Sequence, residues 1–238
     1  MARQGSSRAV APSFNGPQQI SEQVAAYVRD QVMAGQLRSG TFIRPEHVAT
    51  ELGVSATPVR EALMSLVGDG TVQWQPRRGF QIAALTREDV ADLFSVQAFI
   101  AGELTARATV SLSESEIERL IEIQHQLEAA GASGDVELVG KLNHAIHRTI
   151  NASSASTRLM LLLNLTVQYV PRRYFAWVKG WADASVHDHS EIFAALRDRD
   201  SGRARGAMSA HITHIGELLV DHLESVGTFD DDQDEMTT

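Results

Sequence analysis

No cysteine occurs among the 238 residues, so the chain has no disulfide frame, no thiolate metal site and no cysteine nucleophile. It also lacks any run of about 18 apolar residues able to cross a bilayer, and its Ser-, Gly- and Pro-bearing N-terminus lacks the apolar core of a signal peptide. A soluble cytoplasmic protein with no membrane contact is the expectation. Three catalytic signatures are missing as well: no His-Glu-x-x-His helix, no Gly-x-Ser-x-Gly elbow and no phosphate-cradling glycine loop. Positive charge is scarce, with 21 basic against 30 acidic residues and a net charge of −9.

That scarcity is uneven. Residues 1–85 hold eight arginines and no lysine against six acidic residues, whereas the remainder holds 13 basic against 24 acidic. Only the first part is therefore suited to touch nucleic acid. The length accommodates two domains of ordinary size. Composition and periodicity divide the chain into a disordered segment 1–16, a first domain 17–84, a second domain 85–226 and an acidic tail 227–238 that reads as a solvated end.

Within the first domain, Ile20, Val24, Tyr27, Val28 and Val32 give a helix stripe from Gln19 to about Ala34. Gly40-Thr41-Phe42-Ile43 reads as a short extended segment. Pro45 opens a helix that Gly53 ends, and a second helix begins near Ser55, buried through Val59, Ala62, Leu63 and Leu66. The start of that second helix presents Ser55, Thr57, Pro58 and Arg60: small donors, a tolerated proline and a cation, a set suited to a DNA major groove. Taken alone, the stretch is equally compatible with a helical hairpin in any α-rich core. The adjoining segment favours DNA. Thr71-Val72-Gln73-Trp74 and Gly79-Phe80-Gln81-Ile82 alternate as a β-hairpin whose tip carries Arg77 and Arg78. Three helices and a basic hairpin is the winged helix-turn-helix order.

The same residues carry a family resemblance. Ile20-Ser21-Glu22-Gln23-Val24, Gly35-Gln36-Leu37, Leu52-Gly53-Val54-Ser55, Thr57-Pro58-Val59-Arg60-Glu61-Ala62-Leu63 and Pro76-Arg77-Arg78-Gly79 resemble the GntR family of bacterial transcription regulators. The resemblance covers residues 20–83 and implies contacts to a palindromic double-stranded operator by Arg44, Ser55, Thr57, Arg60 and the wing at Arg77-Arg78-Gly79. It departs at Ala56, where family members commonly carry arginine, so operator sequence does not transfer from relatives.

The second domain shows helical signals only. Thr86-Arg87-Glu88-Asp89 resembles a capped start for a helix to about Thr109, and Ser113-Glu114-Ser115-Glu116 is a capping box for one through Leu127 that stops near Gly131 and Gly134. Asp135 opens a helix to about Asn151. Ser156–Trp177 reads as one apolar helix kinked at Pro171, and 184–199 and 201–225 supply the last two. The expected architecture is mainly α: a winged helix-turn-helix followed by an all-α bundle of about six helices.

Asn143 and His147 lie four residues apart and share a helix face, with His189 on the penultimate helix and His211 on the last. Helices of a bundle can bring such groups together around a metal, although a helical histidine is more often a surface or satisfied core residue. Here a second resemblance enters. Asn143-His144-Ala145-Ile146-His147, His189-Ser190-Glu191-Ile192 and Ala207-Met208-Ser209-Ala210-His211 resemble, in order, the histidine motifs of the FCD effector domain in the FadR subfamily. It implies a homodimer and a divalent metal held by Asn143, His147, His189 and His211, with a small carboxylate effector at its open positions. Asn143 stands where many members have Asp, and a neutral set favours zinc or nickel over magnesium or calcium. Relatives often carry Arg and Glu where Gln97 and Ala101 align. Gln97, with Arg172 and Arg173 as replacement cations, is therefore a candidate for effector contact. His144, His187, His214 and His222 are nearby supporting or surface groups. The expected function is a ligand-responsive regulator, a repressor rather than an enzyme. The alternative is a metal-dependent hydrolase or lyase built on the histidine set, for which no neighbouring carboxylate base can be named.

Overall fold

A computed structural model describes residues 17–170 and 172–229, with the backbone alone for Pro17, Gln18, Arg172 and Arg173. The sequence readings for segment 1–16, for Pro171 and for the tail beyond Phe229 lie outside the described residues. The chain forms two compact units. One runs to Val32 and resumes over Gln36–Ala84; the other takes in Met33–Gly35 and the chain from Leu85 onward.

In the first unit, α1 (Pro17–Met33), α2 (Pro45–Leu52) and α3 (Ala56–Gly68) enclose a core of Val24, Val28, Leu52, Val59, Leu63 and Leu66. Gly53, at φ 67°, makes the left-handed turn between α2 and α3 that a side chain would strain. Pro58 falls in the first turn of α3, where no intrahelical N–H partner is missed. Arg29 on α1 pairs with Asp69 after α3, and both side chains are nearly buried.

Strands β1 (Phe42–Ile43), β2 (Val72–Gln75) and β3 (Gly79–Ile82) form an antiparallel sheet in the order β1-β3-β2. The extended segment before α2 is therefore a strand, pairing Phe42 with Gln81 and Ile43 with Phe80. Two residues are too short to alternate, so periodicity could not reveal it. Trp74 and Phe80 face each other across β2 and β3 with ring centroids 4.8 Å apart.

The second unit contains α4 (Arg87–Ser111), α5 (Glu114–Ser133), α6 (Val136–Ser153), α7 (Thr157–Val167), a 3-10 turn (Arg172–Trp177), α8 (Trp181–His187), α9 (His189–Arg197) and α10 (Ser201–Ser225). Two starts are reciprocal capping boxes. Thr86 Oγ1 accepts from the Asp89 N–H while Asp89 accepts from the Thr86 N–H, and Ser113 with Glu116 repeats the pattern.

Two expected helices differ. The apolar stretch from Ser156 is not one kinked helix: α7 ends at Val167, and a 3-10 turn follows. The residue before a proline is driven from helical backbone, so Pro171 favours a break upstream of itself. The stretch expected as a helix over 184–199 is two helices, α8 and α9, meeting at Asp188, which belongs to neither. The second break gives seven α-helices among the described residues of this unit, where about six were expected.

The two longest helices, α4 and α10, pack against each other so closely that glycines mark the crossing. A Cβ on Gly216 would sit 2.6 Å from Phe94 Cβ, and one on Gly102 would strike Ser209 Oγ. Ser209 in turn donates to the carbonyl of Ala98 at 2.9 Å, joining α10 to α4. Gly216→Ala should lower unfolding stability by about 1–3 kcal/mol through overpacking. Gly206→Ala, on the same helix with nothing within 4 Å of the added carbon, should raise it by roughly 0.5–1 kcal/mol. Denaturant titration of both variants measures this, and equal effects would refute the close approach.

Candidate functional site

Helix α6 carries Asn143 and His147 one turn apart, α9 begins at His189, and α10 carries His211 at its middle. The three imidazoles converge. Their ligand atoms all lie within 4.8 Å of one another, and ring centroids are 5.3 Å apart for His147–His189, 5.2 Å for His147–His211 and 4.8 Å for His189–His211. His189 and His211 are buried, and His147 keeps some exposure.

Neighbours fix which nitrogen of two rings points inward. Gln124 Nε2 donates to the Val186 carbonyl at 3.0 Å and to Glu128 at 3.2 Å, which turns its Oε1 toward His189. That oxygen can only accept, so His189 Nδ1, 2.9 Å away, carries the hydrogen. The lone pair is then left on Nε2, a buried atom with no hydrogen-bond partner. His211 Nδ1 lies 3.1 Å from Asp188 Oδ2, which also receives His214 Nδ1 at 2.9 Å. Burial alone would raise the Asp188 carboxyl, but hydrogen bonds from His211 and His214 hold it below its usual value. An ionised Asp188 accepts from His211 Nδ1–H and leaves that ring's Nε2 as the available donor atom.

Burial keeps two of the three rings neutral. Burial first, then the neighbouring His211 and His144, push His147 from 6.5 down to about 3. Burial, with His211 and His147, takes His189 well below 6.5. Neutral imidazoles have lone pairs to give.

Asn143 Oδ1 is likewise buried without a partner. Two orphaned buried acceptors in one set of neutral nitrogen and oxygen donors fit a divalent cation, and with no cysteine or carboxylate among them they fit an imidazole-preferring one. A carboxylate on each outer nitrogen is the usual support of a metal-bound histidine; here one support is Asp188 and the other the amide of Gln124.

Asn143, His147 and His211 open onto a cavity of about 790 Å³ within the second unit. Gln97 lines it, donating to the Thr166 carbonyl at 3.3 Å. The side chains of Arg172 and Arg173 lie outside the described residues. Among the described residues, the cations that line the cavity are Lys141 and Arg148 on α6, which sequence reasoning missed although both flank the His147 motif. Gln124 and Asp188 were missed too, for they become partners only through tertiary packing. His144 also lines the cavity, His187 Nδ1 lies 2.8 Å from the Asp183 carbonyl, and His222 stands against Tyr174 instead of the cluster.

On the first unit, Arg44, Ser55, Thr57, Arg60, Arg77 and Arg78 are exposed, and Gly79 is half-buried. Pro58 is buried, so it shapes the first turn of α3 and offers nothing at the surface. Ser55 makes no side-chain cap bond, leaving its hydroxyl outward. Arg60 is held by Glu46 at 2.6 Å in an exposed pair, and its hydrogen bond lowers the Glu46 carboxyl. Arg78 lies over the Phe42 ring at 4.4 Å. Arg77 sits at φ 66°, the third residue of a turn closed by Arg78 N–H to the Gln75 carbonyl at 3.0 Å. Glycine is the ordinary occupant of that position.

The chain matches two sequence families. Bacterial regulatory proteins of the gntR family match over residues 20–82, and the FCD domain over residues 92–214. The HTH-type transcriptional repressor RspR of Escherichia coli K12 is 25% identical over 214 residues, covering 88% of this chain and 93% of its own. The HTH-type transcriptional regulator YdhC of Bacillus subtilis 168 is 26% identical over 207 residues, covering 83% and 89%. The solved structure of E. coli McbR/YncC shares the fold with a TM-score of 0.64 at 22% identity, covering 85% of this chain and 98% of that one. These matches are to regulators of transcription, and the hydrolase or lyase alternative falls with them.

If Gln124 holds the His189 tautomer, Gln124→Leu should weaken zinc binding by about 10–100-fold while the protein stays folded. A chelator-competition titration beside circular dichroism checks it. Unchanged affinity would mean that the His189–Gln124 contact has no bearing on the site.

Proposed function

Because the chain belongs to the GntR family and joins its DNA-binding domain to an FCD domain, and is a regulator of transcription rather than an enzyme, we propose that a carboxylate effector bound at a metal in the histidine centre controls its hold on an operator. One observation carries this reading: His189 Nε2 and Asn143 Oδ1 are buried without partners in a set whose other members open onto the cavity. Asn143, His147, His189 and His211 would hold the cation, zinc or nickel by donor type, and it would supply the Lewis-acid sites at which a carboxylate binds. Gln124 and Asp188 orient the imidazoles, and Arg148 adds positive charge at the cavity wall.

In the DNA-binding unit, α3 would lie in the major groove with Ser55, Thr57 and Arg60 toward it, while Arg77 and Arg78 reach along the wing and Arg44 approaches the phosphates. The Arg60–Glu46 pair is exposed and so is easily exchanged for a phosphate or base edge. Arg77 supports the wing role. A non-glycine residue in left-handed backbone costs about 1–2 kcal/mol, and Arg77 places an exposed cation there, at the tip of the wing.

A homodimer on a palindromic operator follows from the family's habit and from apolar side chains left uncovered. Val96 and Phe99 share one face of α4, and Leu161, Leu162 and Leu165 project from the neighbouring α7, with Phe99 66% exposed. Repression is the expected sense, the one that the name of RspR gives to that protein. The site of action would be the cytoplasm, where the operator lies; no described helix is long and apolar enough to cross a membrane. Effector binding would shift operator affinity by roughly 5–150-fold.

Two variants test the docking. Arg60→Ala should nearly abolish operator binding. Arg77→Gly should leave the DNA-binding unit as stable or about 1 kcal/mol more stable, yet weaken operator affinity and reduce the salt slope by about one. Fluorescence anisotropy over a salt series measures both, and an Arg77→Gly protein with wild-type affinity and slope would remove the wing from the contact.

A further inference from the structure

The cavity beside the histidines is far larger and more apolar than a small polar acid needs. At about 790 Å³ it falls within the range of roughly 300–1,000 Å³ that encloses drug-sized ligands. Phe94, Phe175 and Trp181 form an aromatic corner, with centroids 6.5 Å apart for Phe94–Phe175 and 6.0 Å for Phe175–Trp181. Met160, Leu163 and Val167 from α7 contribute aliphatic lining.

Charge is sparse by comparison. Among the described residues, and apart from histidines, the charged side chains of the lining are Glu137, Lys141 and Arg148. Glu137 and Lys141 pair at 2.7 Å and add no net charge, so of the described side chains Arg148 is the one in excess. A polycarboxylate or phosphorylated ligand desolvated here would bring several negative charges to one arginine and one cation centre, and an unpaired buried charge is strongly unfavourable.

Resting on the reading of this cavity as the effector site, we infer that its ligand is a monocarboxylic acid with an apolar body of aryl or medium alkyl size. The single carboxylate goes to the histidine centre, and the body lies against the aromatic and aliphatic walls. Acetate would leave most of the volume unfilled. Citrate would fill it with charge that the lining does not match.

The test is calorimetric titration of the zinc-loaded full-length chain with acetate, butyrate, hexanoate, 3-phenylpropanoate and citrate. Burial of each added methylene should tighten binding about fourfold, hence roughly 16-fold from butyrate to hexanoate. Hexanoate and 3-phenylpropanoate should both exceed citrate. Met160→Gln and Val167→Thr should flatten the chain-length series and leave acetate unchanged, since neither residue belongs to the histidine set. Equal affinity across the series, or citrate binding tightest, overturns the apolar-bodied class and leaves the metal-anchored reading standing. No acid bound by loaded protein overturns both. A retained chain-length series in protein that takes up no metal supports the ligand class and removes the metal anchor. Should either variant fail to fold, the hexanoate-to-acetate ratio of the unaltered chain decides.

Discussion

Among three imidazole rings with centroids 4.8–5.3 Å apart, burial holds His147 and His189 uncharged, because a proton on either would be placed away from water and beside another ring. Much of the second unit is arranged around that condition. Helix α5 supplies Gln124, fixed by the Val186 carbonyl so that only its oxygen faces His189. The break between α8 and α9 places Asp188 where it meets both His211 and His214. The break therefore has a structural consequence: a continuous helix would carry residue 188 along its own cylinder, and the outer partner of His211 would change. Burial holds His147 near a value of 3, leaving its lone pair free at any pH where the cell works.

The close packing of α4 on α10 sets the frame for that centre, since α10 carries His211 and α4 carries Phe94 and Gln97 to the same cavity. Glycine at 102 and 216 lets the two backbones approach, so the position of His211 relative to the cavity walls is fixed by contacts a single methyl group would disturb. The DNA-binding unit has a different economy. Its core is small and mostly aliphatic, with Tyr27 and Phe80 in it, and Arg60, Arg77 and Arg78 lie outward on α3 and on a wing whose tip accepts backbone strain. Net positive charge stays with this unit, while the acidic balance of the rest discourages the bundle from binding DNA itself.

Local chemistry made much of this legible from sequence. Thr86 with Asp89 and Ser113 with Glu116 announce helix starts because both partners of each cap lie within four residues. The spacing of Asn143 and His147 fixes a shared face, and the hairpin with its basic tip is a local pattern too. Where the sequence misled, the cause was tertiary or too short to show a period. β1 is two residues long and is a strand only because β3 lies beside it. Gln124 is 65 residues from His189, and nothing near either residue marks them as partners. Pro58 sits among polar neighbours in a DNA-reading motif, yet it faces the core. The apolar run from Ser156 has helical character throughout, but ends at Val167 because turn and 3-10 geometry follow. Lys141 and Arg148 line the cavity from the helix already identified, yet nothing local to them pointed to it.

If what binds at the histidine centre changes how tightly the chain holds DNA, operator affinity reports it without an intermediary. The measurement uses the zinc-loaded chain on a duplex selected by that chain from random sequence, with and without acetate, citrate or hexanoate. The same titration is then repeated with His189→Ala. The expected result is a change of about 5–150-fold for at least one acid in the unaltered chain and none in the variant, which should still bind the operator. An affinity indifferent to all three acids, or an equal response in His189→Ala, would contradict the coupling.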